Sequence, residues 1–365
     1  MSDRRATPLL LGVAAFQVIF GAAVGSVIAS QVWMMDAARG IDASMALQAG
    51  HFGTDHGYLY SPLTALLIVP ATMLPPALMG AAWLAARLAV LVAGVAHETR
   101  RLPTADRLLI LVAAAMFLPT LHDLMLANIT VLLAGAVALI AWSPDRYRTG
   151  MPIGLALATA PKPALLPILV WMVIFRRKAL VGAVGTAGVV TLVALAVIGT
   201  GPYLAWIDVL RTPLYLAGPQ GGNLAIGGLL PQPVAIPLEI LSIAAGLVAL
   251  RRGETQGFVA SIAIGLLVAP YTLAYAATLL LLTVKPLAGV LPRNVLILGA
   301  LAAPILVVVF LPALAGAILL IAVAVAPSRW PSLHPENPHP MDPARPPTAD
   351  HSPHPEPARA IETAL

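Results

Sequence analysis

The chain has 365 residues, of which 59% are hydrophobic and 10% charged, against about 25% charged in a soluble domain, and this excludes a water-soluble globule. At about 20 apolar residues per crossing of a ~30 Å hydrocarbon core, the apolar stretches predict an all-α polytopic membrane protein of roughly ten to twelve transmembrane helices, one domain over residues 1–326. With no cysteine, disulfides, thiolate metal sites and a cysteine nucleophile are excluded, and the net charge of +5 reads as basic residues gathered in cytoplasmic loops, not as a nucleic-acid surface.

The first apolar run, Pro8 to about Ser30, follows Arg4 and Arg5. It exceeds the 7–15 residues of a signal-peptide core, which predicts an uncleaved first span with the amino terminus inside. Residues 31–57 collect Asp36, Arg39, Asp42, His51, Asp55 and His56 and form a first outer loop. The next stretch, 58–76, is apolar but carries prolines at 62, 70, 75 and 76. Proline removes a backbone donor, so this stretch is expected to lie in the outer interface as a short helix without crossing. Spans then run inward over Ala77–Ala96, outward over Leu108–Leu121 and inward over Ile129–Trp142, with LHDLMLAN outside. This arrangement keeps Arg100, Arg101 and Arg107 on the cytoplasmic side, as the positive-inside tendency requires.

Residues 151–175 lie between two basic flanks, RYR and RRK, so they must cross twice for both flanks to stay inside. At their centre stands Pro161-Lys162-Pro163. A residue before proline is pushed out of the helical region, so Lys162 sits on broken backbone, tolerated at membrane depth only beside protein or a water-filled cavity. The chain then runs outward over 179–200 and enters a second outer loop, 201–233, whose Tyr203, Trp206 and Tyr215 read as interfacial aromatics. The remaining spans alternate over 234–250, 257–269, 274–284, 295–310 and 313–326, with a turn at Pro270-Tyr271. The tail, 327–365, is proline-rich, has almost no aromatic residues, and is expected to be disordered and cytoplasmic, like the amino terminus. There is no internal repeat.

Few carboxylates fall on the predicted outer side. Asp36, just past the first span, is either a partly desolvated general base or a solvated loop aspartate. Lys162 precedes a helix whose amino terminus carries partial positive charge. It is therefore either part of an anion site for a phosphate or carboxylate, or a lysine snorkelling to the interface. Arg211, also outside, is assigned to the same phosphate with it. His51, Asp55 and His56 match no strong zinc spacing, and no metal is expected. His122 and Asp123 either line the cavity or simply form a turn. Arg87, inside an apolar run, is expected to face the bundle interior or a polar cavity.

Several stretches together resemble the polyprenyl-phosphate-dependent membrane glycosyltransferases of GT-C type, and among them glycosyltransferase family 87. Asp36 precedes ALQAG, ending at Gly50. YSPL at 60–63 is similar to the family's Tyr-Pro-Pro-Leu element, with Ser61 for its first proline. Ala127-Asn128-Ile129-Thr130 stands for Gly-Gln-Val-Asn. MPIGLALATAPKPALLPILVWMVIFRRKAL is similar to the family's glycine-rich, lysine-proline segment with its basic cluster, and Asn223 and APY at 269–271 stand for an asparagine and a Ser-Pro turn. The resemblance implies a GT-C-like fold with an outer catalytic loop and broken or short helices. It implies transfer of a sugar from a polyprenyl-phosphate donor to an envelope acceptor, lipid or polysaccharide, at the outer face of the cell membrane. Asp36 would be the catalytic base, Lys162 would hold the donor phosphate, and Tyr60, Asn128, Thr130, Asn223 and Tyr271 would bind substrate. No cofactor is expected. The rival classes are a transporter or lipid flippase, against which the lack of a repeat counts, and a non-catalytic membrane partner in envelope assembly.

Overall fold

A computed structural model describes residues 6–32, 34–52, 60–211, 223–269, 272–309 and 311–326, with Trp330 and Leu333. Every regular element among these residues is helical. Four helices are long and apolar enough to cross a membrane: Thr7–Val27, Ala77–Glu98, Arg177–Ile198 and Gln232–Arg252. A fifth candidate is the pair Thr104–Met116 and Leu118–Leu126, bent by 61° at the break. The other apolar stretches form helices of 10–17 residues, because prolines at or near their starts, such as Pro62, Pro163 and Pro312, restart the chain rather than extend it. The protein is thus an all-α polytopic membrane protein with few full-length helices and many short ones.

The polar contacts gather at two opposite ends of the bundle. At one end Thr7 Oγ1 donates to Asp106 at 2.9 Å, Lys285 pairs with Glu98 at 2.9 Å, Arg176 pairs with Glu254 and Arg252 donates to the Ala324 carbonyl at 3.0 Å. At the other end Met34 N–H donates to Met125 O at 2.7 Å, Ser61 N–H to Thr159 O at 2.8 Å and Leu224 N–H to Thr272 O at 2.7 Å. Residues 60–76 start and finish at this second end, since Ser61 bonds Thr159 and Gly80, just after them, packs on Met34. They do not cross. The stretch 31–57 is less of a loop than its polarity suggests: Met35–Gln48 is a helix, while residue 33 and residues 53–57, with Asp55 and His56, fall outside the described residues. Likewise LHDLMLAN, expected outside, is mostly helix. Leu118–Leu126 is a helix, buried from Leu118 to Thr120 and from Asp123 to Leu126, because Asp123 finds backbone donors inside the bundle instead of water.

Lys162 stands at the tip of a helical hairpin. Tyr147–Thr159 runs up to it, Ala160 and Lys162 leave the helical region at φ −138° and φ −90°, and Leu166–Phe175 runs back to Arg176. The ascending arm is fixed by close packing on Arg177–Ile198, where a Cβ on Gly150 or Gly154 would fall on the carbonyls of Ala179 or Ala183. Small residues four apart let helix backbones approach this closely in a membrane. Gly150→Ala is therefore expected to destabilise the protein by about 1–3 kcal/mol, read as a lower Tm in detergent. Gly185→Ala, where a Cβ meets nothing within 4 Å, should leave Tm in place.

The core is centred on Glu254–Val268, which is buried from Thr255 to Leu267, as expected of a helix apolar on all faces. Trp171 packs on Phe258 with ring centroids 5.1 Å apart. Trp330 rests against this core and Leu333 is buried within it; the rest of the tail, assigned from sequence to disorder, lies outside the described residues.

Candidate active site

The second end of the bundle holds a buried polar cluster built around one amide. Asn128 Nδ2 donates to Asp36 Oδ2 and to the Tyr60 hydroxyl at 2.8 Å. Its Oδ1 accepts from Lys162 Nζ at 2.9 Å, from Thr130 Oγ1 at 2.9 Å and from Ile129 N–H at 2.8 Å. Five residues singled out from sequence, Asp36, Tyr60, Asn128, Thr130 and Lys162, therefore meet in one place. They come from four separate segments. Asp36 lies in the first turn of Met35–Gln48, Tyr60 just before Pro62–Ile68, Asn128 and Thr130 at the start of Thr130–Trp142, and Lys162 on the hairpin tip. Arg39 reaches Asp36 only at 3.9 Å from a largely exposed position, a weak interaction.

Lys162 Nζ also lies 4.5 Å from the ring centroid of Tyr275 and 5.8 Å from that of Tyr60, both within cation–π range. Tyr275 stands on Ala274–Thr283, a 3₁₀ helix of ten residues. Runs of that length are uncommon. His122 meets Tyr275 edge-on, with centroids 5.9 Å apart.

The loop carrying Asn128 is braced from beneath. A helix start leaves N–H groups without partners, and here the Asp123 carboxylate takes those of Thr130 at 3.0 Å and Val131 at 3.2 Å. Arg87, fully buried, donates to the carbonyls of Asp123 at 2.9 Å and Trp83 at 3.3 Å; Trp83 Nε1 in turn donates to the Ala127 carbonyl at 2.9 Å. These contacts give the mid-span arginine its partners. They also hold Ala127 at φ 62°, ψ 33°, a left-handed conformation that a non-glycine residue rarely takes.

From this cluster a cavity of about 790 Å³ runs along the bundle. Asp36, Tyr60 and Trp83 line one part and His97, Trp142 and Ser143 another, with Val90, Leu132, Ala136 and Leu139 between them. The lining stretch of helix from Trp83 to His97 is about 21 Å long at 1.5 Å per residue. The walls are overwhelmingly apolar, so the site joins a charged head to a long greasy groove.

Two other sequence candidates, Asn223 and Arg211, make contacts elsewhere. Asn223 is buried, but its Oδ1 accepts from Ala225 N–H at 3.1 Å and Thr272 N–H at 3.3 Å, tying two loops together. Arg211 ends Gly201–Arg211 with its side chain 76% exposed, beside Asp208 at 3.5 Å. Tyr271 lies outside the described residues. Among the described residues no three of His, Asp and Glu gather as metal ligands would. Sequence reasoning missed Tyr275, for which an isolated tyrosine in an apolar run gives no signal, and it left Asp123 undecided between cavity and turn.

Comparison with known proteins adds one match. The family model described as glycosyltransferase family 87 covers residues 58–291, more than half of the chain. No curated protein matches, and no solved structure does.

Proposed function

We propose that this chain, which belongs to glycosyltransferase family 87, takes its sugar from a polyprenyl-phosphate donor and passes it to an envelope lipid or polysaccharide. Membership makes it a glycosyltransferase of the membrane; the donor, the acceptor and the side of the membrane are the reading argued here. The observation that carries it is that Asp36 and Tyr60 line the head of the apolar groove while Asn128, bonded to both, also holds Lys162. A phosphate needs a cation and a prenyl chain needs a dry channel, and here the cation stands one amide away from the channel's head. Asp36 lies ahead of the residues that the family model matches, so its role rests on its contact with Asn128, which is within them.

The chemistry follows from the positions. The donor phosphate turns Lys162 from Asn128 and sits over the hairpin tip, with its prenyl chain in the groove. The acceptor hydroxyl approaches Asp36, which takes its proton as the oxygen forms the new bond to the anomeric carbon. The bond from that carbon to the phosphate oxygen breaks on the opposite face, and its electron pair leaves with polyprenyl phosphate. The anomeric configuration is inverted. Lys162 stabilises the charge that grows on the leaving phosphate, and the buried site excludes water that would hydrolyse the donor. With the basic end of the bundle cytoplasmic, the cluster faces outward in the cell membrane, with both termini inside.

The test is transfer of radiolabelled sugar in membranes, with polyprenyl-phosphate sugars offered against nucleotide sugars. Label moving from a nucleotide sugar in membranes stripped of the lipid donor would overturn the assignment. The groove supplies a second test. Gly94 lines it, and a Cβ there meets nothing within 4 Å, so Gly94→Phe fills the channel without disturbing the packing. Each buried methylene is worth about 0.8 kcal/mol, so displacing two or more of them should raise the KM for long-chain donors by about tenfold. Donors with a short, ten-carbon chain should be unaffected; an equal effect on both would take the prenyl chain out of the groove.

A further inference from the structure

The mechanism requires a free carboxylate and a free ammonium in one dry site, where opposite charges attract most strongly. With nothing between them, a lysine on a flexible four-carbon stem would close on the aspartate and neither would serve. What stands between them is the side-chain amide of Asn128. Its N–H end faces Asp36 and Tyr60, and its carbonyl end faces Lys162.

The amide has only one workable orientation. Turned over, its NH₂ group would meet three obligate donors, Lys162 Nζ, Ile129 N–H and Thr130 N–H, and its oxygen would meet the Asp36 carboxylate. Donor would face donor and acceptor would face acceptor. The backbone fixes the residue as firmly, through Asn128 N–H to Asp123 O at 3.0 Å and the carboxylate of Asp123 on the next helix turn. When Lys162 turns away to a phosphate, the Asn128 oxygen keeps Thr130 and Ile129 as donors, so releasing the lysine strands no buried atom.

We propose that Asn128 is a dipolar spacer that prevents Lys162 and Asp36 from collapsing into an ion pair, holding base and phosphate-binding cation ready at the same time. This role is one of positioning, and its link to catalysis rests on the reading of Asp36 and Lys162 given above. Loss of the amide would bring the ammonium onto the carboxylate. A carboxylate paired with a cation stays ionised to lower pH, so the Asp36 titration should move down. It should move back up when the lysine is also removed.

The other charged or titratable groups around Asp36 are Arg39 on its own helix, Tyr60, joined to it through Asn128, His122 and Arg87, each within its field, and Asp123 beneath the loop. All of them remain in every variant compared, so any difference between the Asn128 single variant and the double variant reports the lysine.

The experiment is a pH-difference infrared titration of the purified protein in detergent, in which the protonated-carboxyl band missing from Asp36→Asn identifies Asp36. Its midpoint is followed in wild type, Asn128→Ala and Asn128→Ala/Lys162→Met, alongside sugar transfer by the same membranes. The expected order of midpoints is Asn128→Ala lowest, wild type intermediate and the double variant highest, with the single variant about one pH unit below wild type and its transfer down by about 10²-fold. Asn128→Asp, nearly isosteric, serves if the alanine variant does not fold. It sets a second carboxylate against Asp36, and the Asp36 midpoint should rise. Midpoints that coincide across the folded variants overturn the spacer, whatever the transfer assay gives. Shifted midpoints with full transfer in Asp36→Asn would keep the spacer and remove Asp36 as base.

Discussion

Asp36→Asn is expected to lower kcat for sugar transfer by about 10²- to 10⁴-fold, the usual worth of a positioned general base, with little change in the donor KM. The substitution is nearly isosteric, and the carbonyl of the introduced amide can still accept from Asn128, so the buried network survives. What disappears is the group that takes the acceptor proton, which matters as the new bond forms and not when the donor binds. A variant that loses kcat and keeps KM has lost an interaction made only in the transition state. The control is Asp42→Asn on the same helix, in a position with no contact to Asn128, which should transfer as wild type. Activity in Asp36→Asn within a few-fold of wild type, at equal protein level, would move the base elsewhere in the cluster.

Lys162→Met should act at the other end of the reaction. Methionine keeps the volume and the apolar contact with Tyr275 but removes the charge that meets the leaving phosphate. Loss of one donor aimed at developing negative charge costs about 10²- to 10³-fold. Part of the loss should appear as a higher donor KM, because the ground-state phosphate is already anionic. Lys162→Arg keeps the charge with a broader, more rigid head and is expected to retain more activity than Lys162→Met. Three equal rates in wild type, arginine and methionine would remove the phosphate role and leave the lysine as a structural partner of Asn128.

The parts of this arrangement that the sequence discloses are those set by neighbouring residues. Proline on both sides of Lys162 dictates the break by local sterics alone, and the hairpin tip is found there. The prolines of 58–76 likewise announce a segment that stays at one end. Contacts made across the fold are invisible at that level. Nothing near Tyr275 says that a lysine more than a hundred residues earlier will lie on its ring, and Asp123 reads as a turn residue until the start of Thr130–Trp142 is set beside it. Only family resemblance anticipates the meeting of Asp36, Asn128 and Lys162, because three segments have to fold before it exists. Hydropathy also misses where the helices break. It counts apolar residues, whereas the span needs an unbroken helix, and Phe117, where Thr104–Met116 gives way to Leu118–Leu126 at 61°, shows one apolar stretch bending instead of continuing.

The left-handed turn at Ala127 bears on how the site operates over time. The chain places a residue with a methyl group in a backbone region that costs L-residues roughly 1–2 kcal/mol. A glycine there could swing between several conformations at little expense. An alanine whose carbonyl is held by the indole of Trp83 has one. The platform bearing Asn128 is thus a fixed anvil and not a hinge, and adjustment during turnover falls to the lipid and sugar that arrive on it.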